Sequence, residues 1–319
     1  MKIIKNRLSA LLLSISMMLI GAVHAADVVI GSPNWASVQA TAHVLKVVLE
    51  DNLGLEVEIQ NGTNPIVFEA MDKGTMHVHP EVWLPNQANL HQTYVVDKAT
   101  VAMNPNGVTS FQGMCVSKQT ADSLGVSSIT DLTNPEIAKQ FDSNGDGKGE
   151  IWIGATGWAS TNVEKIRAKS YGYDQTLELS EMDETLALAN LDAAIAQNKP
   201  FVFFCYTPHH MFALHDLVVL KEPAFDESKW VVYQPTDDPN WLENSSAPVA
   251  WKDANLHIHY AKSLEESQPE AAAILNKVKF TTDQVSQMVY AVSVQKMAHE
   301  DVARNWVDEN SATVDEWLK

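Results

Sequence analysis

The sequence predicts an α/β protein of two lobes with a cleft between them. Residues 27–83 alternate strand and helix patterns in the order β-α-β-α-β, which implies a parallel sheet covered by helices. The alternation restarts after about Ser110, as a second lobe would require. Pro200 to Tyr206 (PFVFFCY) is an unbroken apolar run, the pattern of a strand buried on both faces.

Taken in order, the N-terminus comes first. Lys2, Lys5 and Arg7 precede an apolar run from Leu11 to Ala22, and Val23-His24-Ala25 places small residues where a signal peptidase reads. The expectation is a secretory signal peptide over residues 1–25, cleaved after Ala25, since the apolar run is shorter than the ~20 residues of a membrane span. No Cys follows the cleavage site to carry a lipid anchor. Asp27 to Gly31 is then a buried strand, Pro33-Asn34-Trp35 a turn, and Ser37 the cap of an amphipathic helix through Leu49. Leu55 to Gln60 alternates as a strand, Asn64 to Lys73 is a helix, and His77 to Trp83 is a strand stopped by Leu84-Pro85.

In the middle of the chain, Thr109 to Ser117 is a strand and Ser128 opens a helical region through Gln140. Ile151 to Gly154 is a strand, and helices follow at Thr161–Tyr171 and Asp183–Gln197. Val218 and Val219 lie in a short strand, and Pro223 to Pro248 is irregular, rich in Pro, Asp, Asn and Trp. Leu256 to Tyr260 is a strand, with helices at Glu265–Lys277 and Thr282–Glu309. No internal repeat or low-complexity tract is present.

The chain has 22 basic against 40 acidic residues, and three of the basic ones lie in the leader. So acidic a surface argues against nucleic acid and anionic membrane as partners and mildly favours cationic or zwitterionic ligands. Cys115 and Cys205 both sit in apolar strand-like runs. Two buried free thiols are the expectation, with a single bridge as the alternative.

Phe141 to Asn162 joins two unlike signals. Ile151 to Ile153 leads into a Gly-rich turn bearing Trp158, a flat aromatic at the carboxyl end of a strand, where ligands bind in α/β sheets. Ser160 or Thr161 would cap the next helix, whose free N–H groups suit an anion. Before it, Asp142, Asn144, Asp146 and Glu150 alternate around glycine as in the first nine positions of a calcium loop. The bidentate Glu expected at position 12 is replaced by Ile153, and a plain Asp/Asn/Gly turn is the alternative. A calcium ion here would be structural, and no other cofactor is expected. H-x-H occurs at His77/His79 and His257/His259, but no further Cys or His spacing completes a zinc set.

Three segments together resemble the glycine betaine/choline class of substrate-binding proteins of ABC importers: EVWLP at Glu81–Pro85, NPEIAKQFDSNGDGKGEIWIGATGWAS at Asn134–Ser160, and PFVFFCYTP at Pro200–Pro208. The resemblance covers nearly the whole chain after the leader. It implies a two-lobed periplasmic-binding-protein fold of type II with two hinge crossovers, one lobe at residues 26–109 and 248–319 and the other at 110–247. It also implies a periplasmic monomer that closes over its ligand and docks on an inner-membrane permease with its ATPase.

A quaternary ammonium has no N–H to donate, so electron-rich aromatic faces are what hold it. Each face contributes roughly 0.5–2 kcal/mol when desolvated, so three or four reach micromolar affinity, about −8 kcal/mol. By resemblance the faces are Trp83, Trp158 and Tyr206, joined by Trp35 in choline-type members. The backbone of Ala159 and Ser160 would take a ligand carboxylate. Gln87 stands where some betaine binders carry a His, and Ser37 where choline-type sites carry an Asp. Glu81 is a further candidate, because a nearby carboxylate favours a cation. Trp152, Trp230, Trp241, Trp251, Trp306 and Trp317 are read as packing residues.

The implied function is capture of glycine betaine or another methylated osmolyte without catalysis. The rivals are an enzyme acting on a small zwitterion in the cleft and the binding protein of a metal importer. No G-x-S-x-G and no convincing Cys-His pair supports the enzyme.

Overall fold

A computed structural model describes residues 26–319; the expected leader lies outside the described residues. Among these residues no helix is long and apolar enough to cross a membrane. Ten strands run in chain order: β1 Val28–Ser32, β2 Val57–Asn61, β3 Val78–Leu84, β4 Val101–Met103, β5 Val108–Ser117, β6 Gly149–Trp152, β7 Leu177–Ser180, β8 Val202–Thr207, β9 Leu217–Val219 and β10 Ala254–Ala261. Their spatial order is β2-β1-β3-β10-β5-β8-β6-β7, with β4 beside β10 and β9 beside β5.

The strands form two groups joined through β5. In the first, β1 is parallel to β2 and β3, and β10 runs antiparallel to β3. In the second, β6 is parallel to β7 and β8. β5 serves both: Val108–Ser110 pairs with Ala254–Leu256 of β10, and Phe111–Val116 pairs with Val202–Thr207 of β8. The parallel strands β1, β3, β6 and β8 all deliver their carboxyl ends toward the seam between the groups, where α/β sheets place their ligands.

Local chemistry explains the elements. The helix Ala36–Leu53 buries Val38, Ala42, Val44, Leu45, Val48 and Leu49 against the first group and ends on Gly54, whose φ of 67° only glycine adopts readily. Helix Glu184–Ala196 starts at Asp183, whose carboxylate accepts the Thr185 N–H. β8 is buried along five of its six residues, as its apolar run requires.

Several elements depart from expectation for definable reasons. The stretch Ser128–Gln140 is three short helical turns, Ile129–Thr133, Pro135–Ala138 and Lys139–Phe141, because Pro135 forces Asn134 out of helical geometry. Pro269 likewise divides Leu264–Ser267 from Pro269–Lys277. The C-terminal helix is Thr282–Ser293 and His299–Glu309, separated around Lys296 at φ 61°, and a further helix occupies Ser311–Leu318. Strands β4 and β7 and the helical segment Ala88–Asp97 had no pattern strong enough to announce them.

The free-thiol expectation is overturned: Cys115 and Cys205 form a disulfide with Cα atoms 5.8 Å apart. β5 and β8 are antiparallel neighbours in which Cys205 pairs with Gly113 and Cys115 with Phe203, so the two sulfurs meet diagonally. The bridge spans a separation of 90 residues, most of the second strand group. The double variant Cys115→Ala/Cys205→Ala is therefore expected to lose about 2–4 kcal/mol of stability, read as a lower urea midpoint.

Candidate functional site

Four aromatic rings meet at the seam. Trp35 follows β1, Trp83 lies near the end of β3, Trp158 stands on the turn after β6, and Tyr206 lies near the end of β8. Trp35 meets Trp158 with centroids 6.2 Å apart and planes at 84°. Trp158 meets Tyr206 at 6.0 Å and 84°, and Tyr206 meets Trp83 at 5.4 Å and 85°. Successive planes are thus nearly perpendicular, as walls of a box are. The cavity they enclose is completed by Asn64, Asn86, Gln87, Gln112, Ala159, Ser160 and Phe204.

The polar edges of the four rings are tied back into the protein, so the rings offer the cavity faces and not donors. The Trp35 and Trp83 N–H groups donate to Glu81 Oε1 at 2.8 and 3.0 Å. The Trp158 N–H donates to the Asn34 carbonyl at 2.9 Å, across the seam. The Tyr206 hydroxyl donates to Glu184, whose other oxygen accepts the Ala36 N–H at 3.0 Å, again across the seam. Asn34 Nδ2 also donates to Asp183 at 2.9 Å. Behind the box, Trp152 packs edge-on to Trp158 and donates to the Met182 carbonyl, which fits its reading as a packing residue.

Glu81 does not line the cavity. It lies behind Trp35 and Trp83, is 2 % exposed, and receives the Ser37 hydroxyl at 2.6 Å. Ser37 is accordingly not the helix cap: Trp35 occupies that position, and the hydroxyl is drawn to the carboxylate instead. The expected cap at Ser160 or Thr161 is also corrected. Trp158 holds the cap position of the helix Ala159–Tyr171, and the Thr161 hydroxyl folds back to the Ala155 carbonyl at 2.7 Å. Gly154 permits that turn: at φ 119°, a Cβ there would sit 2.4 Å from Thr161 Oγ1.

One side of the cavity is polar and neutral. The amides of Ala159 and Ser160 open a helix, where no preceding turn supplies carbonyl partners. Gln87 is buried with its Oε1 unpartnered; a flip of the amide would present Nε2 at that place. Asn86 and Gln112 form a reciprocal amide pair at 2.6 and 3.0 Å. Sequence reasoning missed Gln112, Phe204 and Asn64. Gln112 is the register partner of Tyr206, and Phe204 lies two residues before it, so both leave the sheet on the same face as the tyrosine. A larger adjoining cavity of about 210 Å³ shares Asn64, Gln87 and Ala159 with the box and adds Asn162 and Gln234.

Asp142, Asp146 and Glu150 bring ligand oxygens within 4.8 Å of one another, the one such grouping of three His, Cys, Asp or Glu side chains among the described residues. Asp142 accepts the Gly145 and Gly147 N–H groups, which hold its carboxyl below the usual range, and Asn144 accepts the Asp146 N–H. Glu150 accepts from Ser143. These bonds fold the loop through its own backbone.

Residues 26–309 match the family model described as the substrate binding domain of ABC-type glycine betaine transport systems. A glycine betaine/proline betaine-binding periplasmic protein of Salmonella typhimurium is 26% identical over 65% of this chain and 63% of its own length. A trimethylamine N-oxide-binding protein of Pelagibacter ubique is 25% identical over 98% of both chains. Among solved structures, lactococcal OpuAC in its closed form with glycine betaine superposes with a TM-score of 0.70 at 22% identity, covering 92% of this chain and 99% of that one. A choline binding protein of an ABC transporter, in complex with choline, gives 0.71 at 17% identity, covering 91% of each.

Proposed function

Because the chain belongs to the family of substrate binding domains of ABC-type glycine betaine transport systems, we propose that its aromatic box captures glycine betaine or a related methylated onium. Proteins of this family are transport binding proteins and not enzymes, and the two-lobed α/β fold is theirs. The observation that carries the reading is the set of four nearly perpendicular rings whose N–H and O–H groups all point away from the space they enclose. A methylated cation needs faces and no acceptor, and the four rings supply faces alone.

A carboxylate on the ligand would lie at the amides of Ala159 and Ser160, with Gln87 as a neutral donor, and a longer substituent would extend into the adjoining cavity. Residues 26–109 with 248–319, and 110–247, are the two bodies that would close around it. The bonds from Trp158 to Asn34, from Ala36 to Glu184 and from Asn34 to Asp183 would form on closure. The protein would act in the periplasm after cleavage at Ala25, as a monomer delivering to a permease driven by its ATPase. It would need no cofactor.

Calorimetry against glycine betaine, choline, carnitine, proline betaine, trimethylamine N-oxide and dimethylsulfoniopropionate tests this. At least one is expected to bind with a Kd near micromolar, about −8 kcal/mol, and to be recovered unchanged after the protein is denatured. Absence of binding by all six would overturn the reading.

A further inference from the structure

We propose that Glu81 is the positioning residue of the box and its buried counter-charge, so that capture of an onium is coupled to release of a proton from Glu81. This rests on the box being the onium site. Glu81 Oε1 accepts three hydrogen bonds at once, from Trp35 Nε1, Trp83 Nε1 and Ser37 Oγ, so one oxygen sets the planes of two walls that come from different segments of the chain. Its second oxygen is buried and has no partner. All three donors are neutral. An onium between the two indoles would be a cation close behind them, acting through rings that exclude water and so weaken screening.

Burial pushes the Glu81 carboxyl up to about 7, against the bonds from Ser37, Trp35 and Trp83 that favour the anion, and Glu184 adds to the rise. The groups facing it come from both sides of the seam. On β3, His79 accepts the Glu81 N–H at 3.2 Å and is held neutral by burial, which lowers it to about 3. Across the seam stand Glu184, at the start of its helix, and Tyr206, whose hydroxyl burial keeps protonated. The helix Ala36–Leu53 contributes Thr41, and β10 and the C-terminal segment contribute Leu256, Ile258, Phe280 and Val285, none of which titrates.

The sign follows. In the unliganded fold Glu81 is protonated below about 7. A cation in the box favours the carboxylate, lowering this value in the complex. Binding near neutral pH therefore converts the fraction of Glu81 that is still carboxylic acid to carboxylate and passes that fraction of a proton to solvent. Affinity is highest above the free value and falls as pH drops through it toward the value in the complex. For stability the order reverses. The folded value lies above the ordinary 4.5, so Glu81 stabilises the unliganded fold most below the ordinary value and loses that contribution as pH rises through the folded one.

The test is calorimetry of the intact protein with glycine betaine, choline and tetramethylammonium between pH 5.5 and 8.5, in buffers of different ionisation enthalpy. A drop of one pKa unit on binding gives about a tenfold rise in affinity across this range with proton release near pH 7. Glu81→Gln keeps an acceptor for both indoles without the charge, and is expected to bind with a flat profile near the wild-type acid limb. Ser37→Ala removes a donor to the carboxylate and is expected to move the midpoint to higher pH. Wild-type binding that is flat in pH without proton exchange overturns the proposal even if no variant folds. So does Glu81→Gln reproducing the wild-type profile. Failure of all three probes at every pH would instead remove the onium site itself.

Discussion

Trp158→Ala is expected to weaken binding of every methylated onium by about 100-fold or more. The ring is the wall shared by Trp35 and Tyr206, so its removal takes one face of about 2 kcal/mol and unsupports two others. It also removes the hydrogen bond to the Asn34 carbonyl across the seam, worth about 1 kcal/mol, and 1.4 kcal/mol is a factor of ten in affinity. Trp158→Phe keeps a face and loses only the N–H, so its loss is expected to be near tenfold. Calorimetry on both variants, with circular dichroism as the control for folding, separates face from hydrogen bond. Unchanged affinity in Trp158→Ala would move the site elsewhere.

Arg167→Met is expected to destabilise the fold by about 3–5 kcal/mol, because it strands a buried charge. Arg167 is fully buried on the helix that begins beside Trp158. Its Nε bonds Glu164 at 3.0 Å, and its other nitrogens reach Glu222 and the Val249 carbonyl. Burial opposes its charge, but Glu164 and Glu222 outweigh burial and hold the guanidinium protonated. Glu164 also accepts the Trp251 N–H at 2.6 Å, and the guanidinium lies 5.6 Å from the Trp251 ring centroid. Methionine fills the volume and leaves Glu164 buried with its partner gone. Urea denaturation at pH 7 measures the loss; a change under 1 kcal/mol would mean that the network specifies geometry without adding stability.

What the sequence made legible follows the range of the interaction involved. Apolar runs and helix periods are local, so β8 and the helix Ala36–Leu53 were readable from composition and spacing. Trp158 stood out because it follows a strand on a glycine turn. The other three walls come from distant segments, and only resemblance to a known family grouped them. The amide pair Asn86–Gln112 was invisible because it depends on how the two strand groups face each other. Ser37 shows the limit of local rules: cap reasoning looks a few residues ahead, whereas the hydroxyl is claimed by a carboxylate 44 positions away. The disulfide was hidden for the same reason, since strand adjacency and not spacing decides whether two thiols meet.

The strand common to both groups has a consequence for how this molecule tolerates change. Side chains along β5 alternate between faces, and the same ribbon carries Gln112 into the box and Cys115 to its bridge. One residue added between Ser110 and Gln112 would turn Gln112 away from Tyr206 and carry Cys115 off the diagonal from Cys205. Chain length is thus tightly constrained at this crossover, whereas the largely irregular stretch from Pro223 to Ala247 has no such parity to keep.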